Sequence, residues 1–337
     1  MKKSKTLTKA LALLLSLCLC IPLTSCIGQV KKQSETYFDY LDTFCTITVY
    51  CKSKSFERYT EIFTSELERY HRLLDVYNSY DGVINLHTLN QNAGGEDIEV
   101  SNELFEFLQK AKEMHFLTNG YTSVSLGAVT SIWKDAIKNN TVPSNEALLE
   151  AAEHTDISLL VLDEQRKTVR LTDGQARLDA GAFAKGYVSD KISTALTEAG
   201  CESFLLNLGG NIYAHGVKTD GSQFIGAIEN PLTQGTVSII TLNDRILSTS
   251  GSYNRGFDKD GIRYHHIIDP YTQKPQNTFV SVSVLCRSGI MADALSTALF
   301  SMSYEDGASL IDSLDGAEAL WIFADGTIKN TQGITIN

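Results

Sequence analysis

From Phe44 to Tyr50 the chain alternates, Cys45, Ile47 and Val49 interleaved with Thr46 and Thr48, the period-2 pattern of a half-buried strand. The period then lengthens. Phe56, Tyr59, Phe63, Leu67, Tyr70 and Leu74 recur at helical spacing, so the fold opens strand then helix. Further helices are predicted over Asn102–Leu117 with Ser101 as cap, and over Asn145–Ala152 with Ser144 as cap and Pro143 before it, with a turn of helix around Trp133 between them. Leu159–Leu162 and Thr168–Leu171 flank the polar stretch Asp163–Lys167 as a hairpin, and a helix from Phe183 to Ala199 stops at Gly200. Short strands then follow at 204–208, 212–217, 223–229, 236–242, 262–268 and 278–285. The chain returns to helix over 291–302 and 304–314, and closes on a hairpin, Ala319–Phe323 with Thr327–Lys329 around Asp325-Gly326. Strands grouped and helices grouped, without strict alternation, predict an α+β fold and argue against a doubly wound sheet.

The N-terminus stands apart from this pattern. Lys2, Lys3, Lys5 and Lys9 precede an apolar run from Ala10 to Leu23, the layout of a secretory leader and too short to span a bilayer. It closes on Leu23-Thr24-Ser25-Cys26, which looks like a bacterial lipobox with Cys26 as the lipidated residue; the alternative is a plain leader with an incidental cysteine. The expected organisation is a leader at 1–25, a polar linker at 26–35 and one domain over 36–337, tethered by lipid to an extracytoplasmic membrane face. Removing residues 1–25 takes away four lysines and no acid, moving the formal charge from −11 to −15. Such an acidic chain repels phosphate backbones, which excludes nucleic acid as a partner and leaves an anionic substrate to be held by a local metal or local donors. Cys45, Cys51, Cys201 and Cys286 show no zinc spacing. Cys45 and Cys51 share a predicted strand that holds them roughly 20 Å apart, beyond disulfide reach. Buried free thiols are the expected state of most of the four, with the pairing open.

Four sequence blocks carry candidate chemistry: Asp179-Ala180-Gly181-Ala182-Phe183-Ala184-Lys185-Gly186; Leu208-Gly209-Gly210-Asn211; Ser250-Gly251-Ser252-Tyr253 with Tyr264-His265-His266-Ile267-Ile268-Asp269-Pro270; and Ala292-Asp293-Ala294-Leu295-Ser296-Thr297. In this order, over roughly residues 36 to 330, they resemble the ApbE family of FAD:protein FMN transferases. The resemblance implies a single mixed-sheet domain that cleaves the pyrophosphate of FAD with magnesium, releases AMP and leaves FMN on a threonine of a partner protein. No acceptor module is evident here, so the implied partner is another exported or membrane redox protein.

Breaking a pyrophosphate calls for neutralisation by a hard cation, and magnesium tolerates few protein ligands, all oxygens. Asp293 and Thr297, four apart, share one helix face, and a helix N-terminus there would face the phosphates. The family's matching residues bind magnesium, its third ligand is a carbonyl that falls on Ala182, and Ser296 stands where some members carry a further acid. Without the resemblance, Asp293 reads equally as a helix cap and Thr297 as a surface hydroxyl. The resemblance assigns Asp179 and Lys185 to FAD, makes Tyr77 an aromatic contact to the flavin nucleotide and Leu41 an apolar wall of the same pocket, and gives Ile268 a contact to FAD. Read alone, Lys185 is a solvated cation and Tyr77 core filler. Where family members show Asp-Gly-Ala-Phe-Asp, this chain has Asn119-Gly120-Tyr121-Thr122-Ser123, so Ser123 replaces an acid; Tyr121, Thr122 and Ser123 are still expected to line the pocket. Gly209-Gly210 allows close backbone approach, with Asn207 or Asn211 as ligand donors, and Ser250, Gly251 and Tyr253 are expected to wall the site.

Transfer to a hydroxyl needs a proton acceptor, and His266, whose ordinary pKa lies near working pH, is the candidate base; its alternative is a histidine that only bonds a loop or a phosphate. Asp269 is expected to orient, and His71, His215 and His265 read as ordinary. Two other functions fit the same blocks: an FAD pyrophosphatase with water as nucleophile, and a non-catalytic flavin-binding lipoprotein.

Overall fold

The computed structural model describes residues 30–336, so Cys26 and the leader at 1–25 lie outside the described residues. The chain order is β1 (Lys31–Tyr40), β2 (Thr43–Cys51), α1 (Ser53–Leu74), α2 (Leu86–Gln91), β3 (Ile98–Glu99), α3 (Asn102–Leu117), α4 (Gly127–Asn139), α5 (Asn145–Ala152), β4 (Leu160–Asp163) and β5 (Thr168–Leu171). There follow α6 (Ala184–Glu198), β6 (Phe204–Leu208), β7 (Asn211–His215), β8 (Phe224–Asn230), β9 (Gly235–Leu242), β10 (Arg245–Gly251), β11 (Gly256–Lys259), β12 (Ile262–His265), β13 (Ile268–Asp269) and β14 (Lys274–Pro275). The last elements are β15 (Phe279–Cys286), α7 (Gly289–Ser301), α8 (Tyr304–Asp312), β16 (Glu318–Phe323) and β17 (Ile328–Asn330).

An eight-stranded antiparallel sheet, ordered β1-β2-β6-β7-β10-β15-β16-β17, is the frame. Because strand side chains alternate between faces, it presents two apolar surfaces. One joins Cys45, Ile47 and Val49 to Phe63 and Leu67 of α1, Ile192 of α6 and Leu295 of α7. The other, with Ala214, Leu247, Leu285 and Leu320, is covered by the β8–β9 hairpin through Phe224, Ile228 and Ile240. A satellite core of Leu126, Val129, Trp133, Leu148 and Ile268 ties α4 and α5 to β13. The fold is α+β, as the grouping of elements predicts.

Helix α7 is buried on nearly every face and crosses both α6 and the sheet at β10 and β15. Its approach to α6 is set by two glycines: a Cβ on Gly186 would stand 1.9 Å from the Gly289 carbonyl oxygen, and one on Gly289 2.1 Å from that of Gly186. No other residue fits there. Asp190 of α6 completes the crossing by accepting from the amides of Gly289 (2.6 Å) and Ile290 (3.2 Å). Burial pushes its carboxyl up to about 6 against the pull of those amides.

Several expectations need correction. The segment 26–35 is not all linker, because Lys31–Glu35 forms half of β1. That strand carries no apolar alternation and is mostly exposed; it is held by its ladder to β2, by hydroxyl pairs, Ser34 to Thr48 (2.9 Å) and Thr36 to Thr46 (2.8 Å), and near its end by Tyr37 packed against Phe63 (5.8 Å between ring centroids). Strand β10 escapes the pattern because its inward residues include Ser248 and Ser250. Helix α2 announces itself only by a capping box between Asn85 and Thr88, and the turn around Trp133 is a full helix, α4. The strand expected over 262–268 breaks at His266-Ile267 into β12 and β13. The four cysteines are free and buried.

Substituting Gly186→Ala should force α6 and α7 apart and lower stability by roughly 3 kcal/mol or more, the upper range for overpacking; denaturant unfolding matching the parent would show that the crossing can relax.

Candidate active site

Asp293, 4% exposed, is the centre of the site. Its Oδ1 accepts from Asn211 Nδ2 (2.5 Å) and Ser248 Oγ (2.8 Å), and its Oδ2 from the Gly186 amide (2.6 Å). Among the described residues no Lys, Arg or His forms a salt bridge with it. It does not cap its helix: α7 begins one turn earlier, capped by Ser288, and the first amides go to Asp190. The expected helix N-terminus facing the substrate is therefore spent within the protein.

Gly186 lies in the first turn of α6, whose amides have no acceptor within the helix, so its N–H is free to donate to Asp293. The Ala182 carbonyl, just before that helix, accepts no hydrogen bond among the described residues. Thr297 Oγ1 lies one turn beyond Asp293, 3.3 Å from Ser250 Oγ, and Ser250 Oγ lies 2.9 Å from Ser296 Oγ. One carboxylate, one carbonyl and hydroxyls make an all-oxygen donor set suited to a hard cation that keeps its other positions for water and phosphate. A buried carboxylate without a counter-charge and a carbonyl without a donor both fit such an ion. No group of three His, Cys, Asp or Glu side chains that could hold a metal occurs among the described residues.

The turn 179–186 links this centre to a second cluster. Asp179 Oδ1 accepts from the Gly181 amide (2.7 Å), while Oδ2 accepts from Thr130 Oγ1 (2.6 Å) and Lys134 Nζ (2.8 Å). Burial would raise the Asp179 carboxyl, but the Lys134 charge and these donors outweigh it and hold the group below the usual range. Lys134 Nζ also stands 5.1 Å from the Tyr77 ring centroid. Tyr77 is 58% exposed, so it is not core filler.

A hydrogen-bond relay joins Leu41 to the Tyr77 loop. The Leu41 amide donates to His71 Nδ1 (3.2 Å), which places the proton on Nε2, 3.4 Å from the Tyr80 hydroxyl; Tyr80 donates to Asp75 Oδ2 (2.8 Å), and Asp75 Oδ1 accepts from the Tyr77 amide (2.6 Å). Leu41 and Asp42 both adopt left-handed φ of 53° in the β1–β2 turn without a glycine, and the Asp42 carbonyl accepts from Arg255 Nη2 (3.3 Å).

The Arg255 carbonyl accepts in turn from His266 Nδ1 (3.3 Å). That bond fixes the tautomer and leaves Nε2 with its lone pair. His266 is exposed, yet desolvation by the groups around its ring, aided by the charges of Arg255 and Lys185, lowers its pKa to about 4. His265 differs: its Nε2 donates to the Gln276 carbonyl (2.8 Å) and its Nδ1 accepts from the Ile267 amide (3.2 Å), so both nitrogens are occupied and its role is structural.

The remaining candidates divide. Tyr121 is partly open and packs edge-on to Tyr271 at 4.9 Å. Thr122 Oγ1 donates to the Ala294 carbonyl (2.7 Å) and Ser123 Oγ lies 2.8 Å from Ser125 Oγ, so both buried hydroxyls have protein partners that brace this part of the site. Ile268 sends its side chain into the satellite core. Asp269 orients its loop, accepting from the Tyr271 amide, Thr272 and Gln276. Lys185, in the first turn of α6, lies among no carboxylates within salt-bridge distance among the described residues. Asn211 serves Asp293, whereas Asn207 Oδ1 only accepts from the Gly210 amide (2.9 Å). Sequence reasoning missed Lys134, Thr130, Ser248 and Arg255, and read His71 as ordinary. Extending the helix around Trp133 by one turn would have put Thr130 and Lys134, four apart, on one face.

Residues 41–321 match the family model described as ApbE family. An FAD:protein FMN transferase of Treponema pallidum is 33% identical, the alignment covering 94% of this chain and 92% of the relative; one of Vibrio cholerae is 32% identical over 71% and 72%. The crystal structure of the ApbE protein from Thermotoga maritima superposes with a TM-score of 0.82 at 25% identity, covering 90% of this chain and 97% of that one. The flavin transferase ApbE from Vibrio cholerae gives 0.77 at 26%, covering 89% and 97%. A family match across most of the chain, a relative aligned nearly end to end, and a shared fold lead to one conclusion: the chain belongs to the ApbE family.

Proposed function

We propose that this chain is an FAD:protein FMN transferase that cleaves the FAD pyrophosphate with magnesium, moves FMN onto a threonine of a partner protein and releases AMP. The observation that carries the reading is the buried Asp293 carboxylate, without a salt bridge among the described residues, bonded by the Gly186 amide just after the turn that carries the Ala182 carbonyl. Asp293, Thr297 and Ala182 would hold the magnesium, which neutralises pyrophosphate oxygens as charge shifts onto them. Asn211, Ser248 and the Gly186 amide fix the Asp293 carboxylate in place beforehand.

In this reading Tyr77, Leu41 and Tyr121 seat the ring systems of FAD, and Asp179 and Lys185 hold its nucleotide portion. His266 Nε2 takes the proton of the acceptor hydroxyl as the new oxygen–phosphorus bond forms; the bond to the AMP oxygen breaks and AMP leaves. The partner is an exported or membrane redox protein, met on the extracytoplasmic face where a lipid on Cys26 would hold the chain. Among the described residues no helix is long and apolar enough to cross a membrane.

Incubating the protein with FAD, magnesium and a candidate acceptor, with and without EDTA, tests the reading by following AMP and protein-bound flavin. EDTA-sensitive AMP release with flavin on the acceptor is expected; AMP with free FMN as the sole product would make water the nucleophile, and intact bound FAD throughout would leave only a flavin-binding role. Asp293→Asn should lower turnover by roughly 10²-fold or more while FAD still binds, and unchanged turnover would remove Asp293 from the chemistry.

The pH profile tests His266. A base with a pKa of about 4 is already neutral at pH 5, so kcat/KM should stay level from pH 5 to 8 and fall only as pH drops through about 4. His266→Ala should lower transfer by roughly 10²-fold or more and abolish that acid limb; an identical profile in the variant would exclude His266 as the base.

A further inference from the structure

Two residues read above as contacts to FAD, Tyr77 and Asp179, come from distant parts of the chain and meet at a third that no sequence block marks. Lys134 of α4 stands 2.8 Å from Asp179 Oδ2 and 5.1 Å from the centre of the Tyr77 ring. Each partner depends on it differently. Asp179 is largely buried, its side chain 13% exposed, and Lys134 supplies its only salt bridge among the described residues. Tyr77 is mostly exposed, its amide fixed by Asp75 and its ring by the cation beside it. Lys134 itself is held: Thr130, one turn back on α4, shares the same carboxylate oxygen at 2.6 Å, and Trp133 next to it anchors the helix by donating to the Gln273 carbonyl (2.8 Å).

We propose that Lys134 is a positioning residue for FAD, a clamp that locks the Tyr77 ring and the Asp179 carboxylate in one geometry; the proposal rests on the reading that those two residues contact FAD. Its chemistry follows from charge. A cation at one face of Tyr77 holds the ring in place and leaves the other face free to stack on a heteroaromatic ring. The same cation neutralises Asp179, so an anionic dinucleotide is not repelled by a bare carboxylate in a chain of net charge −11, while the fixed oxygens still accept from an N–H edge of the stacked ring. The clamp therefore selects a nitrogen heterocycle carrying an N–H donor beside a pyrophosphate, and acts on binding rather than on bond cleavage, since it lies on the far side of the 179–186 turn from Asp293.

Equilibrium binding of FAD is measured by calorimetry in EDTA, which stops turnover, and kcat and KM are measured with magnesium. Lys134→Met should weaken binding by about tenfold and raise KM alike while kcat falls by no more than about threefold. Lys134→Arg, which keeps the cation at the ring and the carboxylate, should restore wild-type binding within about twofold, and Lys134→Gln, a milder change on a half-exposed side chain, should fall with the methionine variant if charge is what matters. If Tyr77→Ala and Asp179→Ala weaken FAD binding but Lys134→Met and Lys134→Gln do not, the clamp is overturned and the reading of the site survives. If none of the four changes binding, the assignment of Tyr77 and Asp179 to FAD fails and the clamp with it. A loss in kcat without a change in binding would also overturn the proposal.

Discussion

One close contact organises this molecule: the glycine-to-glycine crossing of α6 and α7. Only where two backbones approach without side chains between them can the amide of one helix reach a carboxylate carried by the other, and Gly186 does so to Asp293 at 2.6 Å. The bond satisfies a first-turn amide of α6 and ties a buried acid to the turn that carries the Ala182 carbonyl. Fold and site thus share a cause. The crossing needs an apolar sheet face to carry α7 across β10 and β15, and an Asp190 to satisfy amides that would otherwise be orphaned where the helix begins.

Around that rigid centre the other parts of the site are loops and helix faces held by polar relays. The β1–β2 turn is gripped from two sides, by His71 through the Leu41 amide and by Arg255 through the Asp42 carbonyl, and Arg255 also sets the tautomer of His266. A displacement at one of these points is felt at the others because the hydrogen bonds run in series. Such placement suits a reaction in which two large substrates must be brought to one phosphorus atom, where misplacement by an ångström is costly.

The sequence made the frame legible wherever burial imposed a period. Cys45, Ile47 and Val49, or Phe63 and Leu67, can be apolar only because one face is covered, and their spacing says which element carries them. It was silent where backbone pairing or polar contacts replaced burial: β1 lies on its partner mostly exposed, and β10 turns serines inward because an acid waits there. The site was legible in those blocks whose residue types are individually demanding, the glycine of α6 and the acid of α7 among them. Lys134, Arg255 and His71 were not, because a lysine, an arginine or a histidine on a helix or loop looks the same in sequence whether it faces water or a partner far along the chain.

The buried cysteines gain a property from the same packing. A thiol exchanges with a disulfide or an oxidant only as its thiolate, and burial pushes Cys45, Cys201 and Cys286 up to about 12. At neutral pH the thiolate fraction of each is then on the order of one in 10⁵. The core that sets the geometry of α7 also keeps these three sulfurs almost wholly as thiols, so each is slow to exchange with a disulfide or an oxidant for as long as the chain stays folded.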